Sequence, residues 1–131
     1  MPPFRHAYLI DALPDDWWDE AGMTGFVPNG LTFRIGPCEP RLDLERRPVL
    51  ILPINDVEPL EGRRLTYGMF RDKESVLKIL RGFRNGDAIP PIQVVKLPDG
   101  APFSHRIYNG AHRFYCSVAA GFTHVPAIDA A

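Results

Sequence analysis

Arg106-Ile107-Tyr108-Asn109-Gly110-Ala111-His112-Arg113 runs from a short strand, through Asn-Gly, into a helix expected over about residues 111–120. Gly121 stands where that helix should close. At Gly110 the backbone can turn tightly and a ligand can come close. The first helical N–H groups have no intrahelical acceptor, and the helix dipole is positive at that end. His112 and Arg113 add donors there, and an arginine can grip a phosphate with two parallel hydrogen bonds. The corner therefore suits a phosphate or a similar anion. The same residues also fit a plain strand-to-helix corner with a satisfied histidine and a mostly exposed surface arginine.

Outward from the corner, the neighbouring elements read clearly. Val125-Pro126-Ala127-Ile128 is a last strand, Ile92-Gln93-Val94-Val95-Lys96 an earlier one, and Pro98-Asp99-Gly100 a turn. Val76, Leu77, Ile79, Leu80 and Phe83 follow helical spacing, so a helix is expected over about 73–85, capped by Asp72 and ended by Gly86. Arg71, Ser75 and Lys78 share another face of it. Val49-Leu50-Ile51-Leu52-Pro53-Ile54 is an apolar run that predicts a buried strand. Strand, helix, strand, strand, helix, strand make an α+β mixed sheet.

Residues before this run are harder to read. Ala7 to Ile10 suggests a short strand, and Pro14-Asp15-Asp16 starts a helical turn carrying Trp17 and Trp18, with Asp15 or Asp16 as cap and Gly22 as stop. Phe26-Val27 and Leu31 to Ile35 around Pro28-Asn29-Gly30 predict a hairpin. The tryptophans read as core staples or as a contact patch for a protein partner.

A chain of 131 residues is about one domain, and 45% hydrophobic content is enough for a core without disulfides. The net charge of -1 hides an asymmetry: residues 1–62 carry five basic and eleven acidic side chains, residues 63–113 ten basic and four acidic. Either the basic middle raises positive potential at the anion corner, or the two parts neutralise each other in the fold. Met1-Pro2-Pro3-Phe4-Arg5 lacks a signal pattern, so Cys38 and Cys116 are expected as reduced thiols in the cytoplasm. No apolar run approaches the ~20 residues of a membrane span, and no membrane partner is expected. His6, His105, His112 and His124 lack metal-ligand spacing, so no protein-built metal site is expected.

Several of these stretches, in order, resemble the ParB/sulfiredoxin superfamily: Leu52-Pro53-Ile54-Asn55-Asp56-Val57-Glu58-Pro59, Ile89 to Val95, Tyr108 to Phe114, Gly121, and Val125 to Ile128. The resemblance covers about residues 48–129. It implies a ParB/sulfiredoxin-like domain over 48–131, with residues 1–47 as an N-terminal extension packed on it. In that family the strand–Gly–helix corner holds nucleotide phosphates: ATP in sulfiredoxins, ADP in a serine kinase branch, CTP in ParB partition proteins. The resemblance thus implies phosphate contacts from Asn109, Gly110, His112 and Arg113, with help from Ser75 and Lys78 on the preceding helix. Mg²⁺ would arrive with the nucleotide, near Asp56, Glu58 or Glu61.

The departures from the family narrow the chemistry. Ala111 stands where sulfiredoxins carry their reactive cysteine, and Cys116 lies more than a turn later, so thiol chemistry is not expected. Asn109 stands where the serine kinases have an aspartate, while Glu61 matches their other acid. Glu61 is then the expected general base of any phosphoryl transfer, with Glu58 in reserve and Arg63 and Arg64 able to reach phosphates. Three functions follow from this reading. The first is a nucleotide-binding domain acting as a small phosphotransferase or nucleotide hydrolase. The second is a ParB-like module that associates with DNA as a nuclease or accessory. The third is a non-catalytic module that binds a protein through its N-terminal extension.

Overall fold

The computed structural model describes residues 13–37, 47–58 and 72–130. The expectations on Ala7 to Ile10, Cys38, Glu61, Arg63, Arg64 and Arg71 lie outside the described residues. The chain is an α+β protein. Its elements are α1 (Asp15–Glu20), β1 (Leu50–Pro53), a 3-10 turn (Ile54–Asp56), α2 (Lys73–Asn85), β2 (Ile92–Lys96), β3 (His105–Asn109), α3 (Ala111–Ala120) and β4 (His124–Asp129).

Four strands form one mixed sheet in the order β1-β4-β2-β3. β1 and β4 are antiparallel, with Leu50 opposite Ala127 and Leu52 opposite Val125. β4 and β2 are parallel, with Ile92 beside Ala127. β2 and β3 are antiparallel, but their register slips: Gln93 pairs with Asn109, and the next residue, Val94, pairs with Ile107. Tyr108 is the extra residue of this bulge, and it stands 60% exposed. A bulge bends its strand and redirects the residues that follow. Here those residues are Asn109 and Gly110.

The helix expected at 73–85 forms over those residues. Asp72 accepts from the Ser75 N–H at 3.3 Å, and Gly86 ends the helix in the left-handed conformation at φ 72°. Its apolar face, including Val76, Leu77, Leu80 and Phe83, is buried. That face shares one core with Phe114, Tyr115 and Val118 of α3 and with Ile92, Val94, Ile107, Val125 and Ala127 of the sheet. Leu13, Ala21, Met23 and Phe33 belong to the same core. Trp17 and Trp18 are half-buried against it. Lys73 pairs with Glu20 at 3.3 Å, and Arg84 donates to the Ala21 carbonyl at 3.0 Å, which ties α1 to α2.

Three local expectations need correction. No hairpin forms around Pro28-Asn29-Gly30. Instead Phe33 stacks on Phe83 at 5.4 Å, Phe26 meets Phe122 edge-on at 6.2 Å, and Ile35 bridges to Ile89. Burying both rings on the core replaced pairing them across a local turn. The apolar run at 49–54 is an edge strand rather than a buried one: only alternate residues are sheltered, and Ile51 is 44% exposed. Finally, Pro14 occupies the N-cap of α1, so Asp15 and Asp16 lie inside its first turn, where they still complement the dipole. Among the described residues, no helix is long and apolar enough to cross a membrane.

Candidate functional site: the corner between β3 and α3

Gly110 is the N-cap of α3, with φ 104° and ψ 29°. It has no side chain to cap the helix, and the first turn of α3 contains no acid. The positive end of a ten-residue helix thus starts directly from the bulged end of β3. α2 is different, because Asp72 caps it and Glu74 sits in its first turn.

Arg113 is placed differently from the exposed arginine expected. Its Nη1 donates to the carbonyls of both Pro90 and Pro91, at 3.2 Å each, and the residue is half-buried. The guanidinium folds back over Gly110: a Cβ added there would lie 2.9 Å from Nη2 and 3.1 Å from Nε. Two prolines in succession explain the contact. They shape a loop whose carbonyls lack local N–H donors, and a charged guanidinium satisfies both. Arg113 thereby straps the start of α3 to the loop before β2. Part of the space that glycine leaves at the corner is filled by the chain's own cation.

His112 is half-buried, with Nε2 sheltered from solvent. Its neighbour across the helix pair is Asp72. The Ser75 hydroxyl, donating at 2.8 Å, and then the Ser75 N–H hold the Asp72 carboxyl below the ordinary carboxylate range, with a smaller electrostatic pull from His112. The two helices pack on each other, with His112 of α3 near enough to Asp72 of α2 to act on its charge. Asn109 ends β3 and is exposed, and Lys78 is exposed one turn beyond Ser75.

Glu58 sits elsewhere. Its N–H donates to the His105 carbonyl at 2.8 Å, at the start of β3. Four strand residues, about 13 Å, separate that point from Asn109. Among the described residues, no group of three His, Cys, Asp or Glu side chains converges as a metal site would require. Cys116 is buried in α3, and burial pushes its thiol far up, as suits a packed rather than a reactive sulfur.

Two residues near the site were not singled out in the sequence. Asp72 was legible as a cap, but its closeness to His112 depends on how α2 and α3 pack. Gln93 is 2% exposed, and its Oε1 has no hydrogen-bond partner. A lone amide inside Ile92-Gln93-Val94-Val95 was the available signal, because a buried polar side chain without a partner is costly.

The Asp72 cap has a testable pH signature. A carboxyl held below its unfolded value adds stability above about pH 4 and loses that contribution as the pH falls through the folded value. Asp72→Ala is expected to melt at a lower temperature than wild type at about pH 7, with the gap closing in strong acid. A gap that stays constant across thermal melts down to about pH 3 would show that the carboxylate charge is not what stabilises the cap.

Compared with protein-family models and with curated proteins, the chain matches none.

Proposed function

We propose that the β3–α3 corner binds the phosphate groups of a cytoplasmic nucleotide, ATP or ADP, with Mg²⁺ carried by the nucleotide, as in the ParB/sulfiredoxin superfamily that the sequence resembles. The observation that supports this most is the start of α3. Its N-cap is a glycine in the left-handed region, and its first turn has no acid. A phosphate there would meet helical N–H groups and a positive dipole end. In this reading Arg113 fixes the corner through Pro90 and Pro91 and adds positive potential, and His112 supplies a further polar group. Lys78 reaches toward the more distal phosphates. Glu61 is the proposed base if the bound nucleotide is turned over, with Arg63 and Arg64 close after it in sequence.

Calorimetry with ATP, ADP, AMP and adenosine in the presence of Mg²⁺ tests the reading. Affinity is expected to fall as phosphates are removed, with adenosine giving no measurable heat. His112→Ala should weaken ATP binding several-fold, about the worth of one hydrogen bond. Equal affinity for ATP and adenosine, or no binding of any of the four, would refute the corner as a phosphate site. Turnover of ATP by wild type, lost in Glu61→Gln with binding retained, would add the phosphotransferase or hydrolase step.

A further inference from the structure

Three of the four asparagines in this chain are followed by glycine: Asn29-Gly30, Asn85-Gly86 and Asn109-Gly110. In an Asn-Gly pair the main chain attacks its own side chain readily, because glycine has no Cβ to hinder the approach. All three asparagines are exposed, so access of water does not separate them. What separates them is how firmly the backbone is held. The attack needs the glycine nitrogen to rotate toward the side-chain carbonyl carbon, and helical and extended conformations both turn it away.

Asn85 is the last residue of α2. The Gly86 N–H donates to the Phe83 carbonyl at 3.2 Å, and Asn85 Oδ1 accepts from Arg84 Nε at 3.3 Å. Asn109 is a strand residue paired with Gln93, and Gly110 is fixed at the start of α3, where its carbonyl accepts from the Phe114 N–H at 2.9 Å. Both sites must open locally, at a helix end or a strand end, before a ring can close. Asn29 is different. It belongs to neither helix nor strand, and residues 28–30 make no hydrogen bond among the described residues, through main chain or side chain. Gly30 stands in open space, with nothing within 4 Å of an added Cβ. The bonds on either side fall at Phe26, whose N–H donates to the Met23 carbonyl, and at Leu31, whose carbonyl accepts from His124.

We propose that Asn29-Gly30 is a site of spontaneous deamidation, and the first of the three pairs to convert in the folded protein. The Gly30 nitrogen gives up its proton and bonds to Asn29 Cγ. The bond from Cγ to the side-chain nitrogen breaks, and ammonia leaves with that proton. Water then opens the cyclic imide. Its attack at Cγ leaves aspartate; its attack at the main-chain carbonyl carbon leaves isoaspartate, with the chain running through Cγ. Water is consumed, ammonia is released, and no oxidant or reductant takes part. Either product puts a carboxylate between Val27 and Leu31, two exposed apolar side chains. The same ordering spares Asn109, where a new carboxylate would stand at the positive start of α3 and compete with an anionic ligand. The inference holds whether or not a phosphate binds there.

Peptide mapping by mass spectrometry tests it, after incubation of the full chain in heavy-oxygen water at mildly alkaline pH, with and without guanidinium chloride. In the folded protein Asn29 is expected to convert at least about tenfold faster than Asn85 or Asn109. In denaturant the three rates should come within about threefold of one another, because local opening no longer separates them. Asn29→Gln keeps the amide but cannot close the same ring, and should abolish heavy-oxygen uptake at that position. Isoaspartate should be among the products at Asn29. No conversion at Asn29, or conversion at Asn85 or Asn109 as fast as at Asn29 in the folded chain, would overturn the proposal. So would equal rate ratios with and without denaturant, which would trace the order to neighbouring residues rather than to the fold. Aspartate as the sole product would overturn the ring step, since it would mean direct hydrolysis of the amide.

Discussion

Replacing Phe122 by alanine is expected to destabilise the protein by about 3–5 kcal/mol, the range for truncating a buried aromatic ring. Phe122 is 3% exposed and meets three other rings: Phe83 at 5.2 Å, Phe26 at 6.2 Å and Phe33 at 6.5 Å, all edge-on. Edge-on pairs add to burial because the positive rim of one ring faces the negative face of another. These contacts also join distant segments. Phe83 belongs to α2, Phe26 and Phe33 to the segment after α1, and Phe122 to the turn between α3 and β4. Loss of the ring removes the piece on which all three converge, and little nearby can collapse to fill the space. Urea unfolding of Phe122→Ala and Phe122→Leu measures the effect. The leucine variant should recover about half of the loss, since it restores much of the volume but none of the ring geometry. A cost below about 1 kcal/mol for alanine would mean that the aromatic cluster is not what holds the N-terminal segment on the core.

Gly110→Val is expected to be nearly as damaging, by about 2–5 kcal/mol. Two effects combine. A backbone at φ 104° lies where a side chain costs about 1–2 kcal/mol, and a β-branched one fares worst. The added Cβ would also lie 3.0 Å from Ile92 Cγ2, a fully buried side chain in β2 that has no room to retreat. Overpacking of that kind costs about 1–3 kcal/mol. The remaining contacts are with the Arg113 guanidinium, whose displacement would loosen its hold on Pro90 and Pro91. Gly110→Ala keeps the backbone cost but has less bulk, so its loss should fall between wild type and valine. Denaturant titration of the series decides the matter. Equal stability for all three would show that the corner relaxes freely and that glycine is not required by the fold.

Much of the architecture was legible because its signals are local. Asp72 and Gly86 bracket a helix by capping chemistry that needs no tertiary partner. Asn109-Gly110 and Gly121 bracket another. The failures share one cause, which is that distant residues decided the outcome. Phe26 and Phe33 lie at hairpin spacing, yet Phe122 and Phe83, some ninety and fifty residues on, offered both rings more burial than a local turn. Leu50 to Pro53 is apolar enough for a central strand, but β4 pairs with only one edge of it and leaves Ile51 in solvent. The position of Arg113 in sequence suggested exposure, and two proline carbonyls more than twenty residues earlier captured its guanidinium. At the site, the residue types at the corner were legible. Which acid stands beside His112 was not, because that depends on the packing of α2 against α3.

The strand order β1-β4-β2-β3 also bears on how this protein is made. β4 is the last of the four strands along the chain, yet it sits inside the sheet between β1 and β2. Until β4 is made, β1 has no strand partner among the described residues, and of the described strands β2 and β3 alone can pair. The first strand must wait more than seventy residues for Val125 and Ala127. At about 5–20 residues per second, that wait lasts several seconds, with an apolar strand uncovered and no neighbour to shield it. Closing the sheet is therefore a single late event in which β4 joins both halves at once, and pairing over so long a stretch of chain is slow. A nascent chain stalled before His124 should be held together by its helices and one hairpin, with β1 available to chaperones until the final strand arrives.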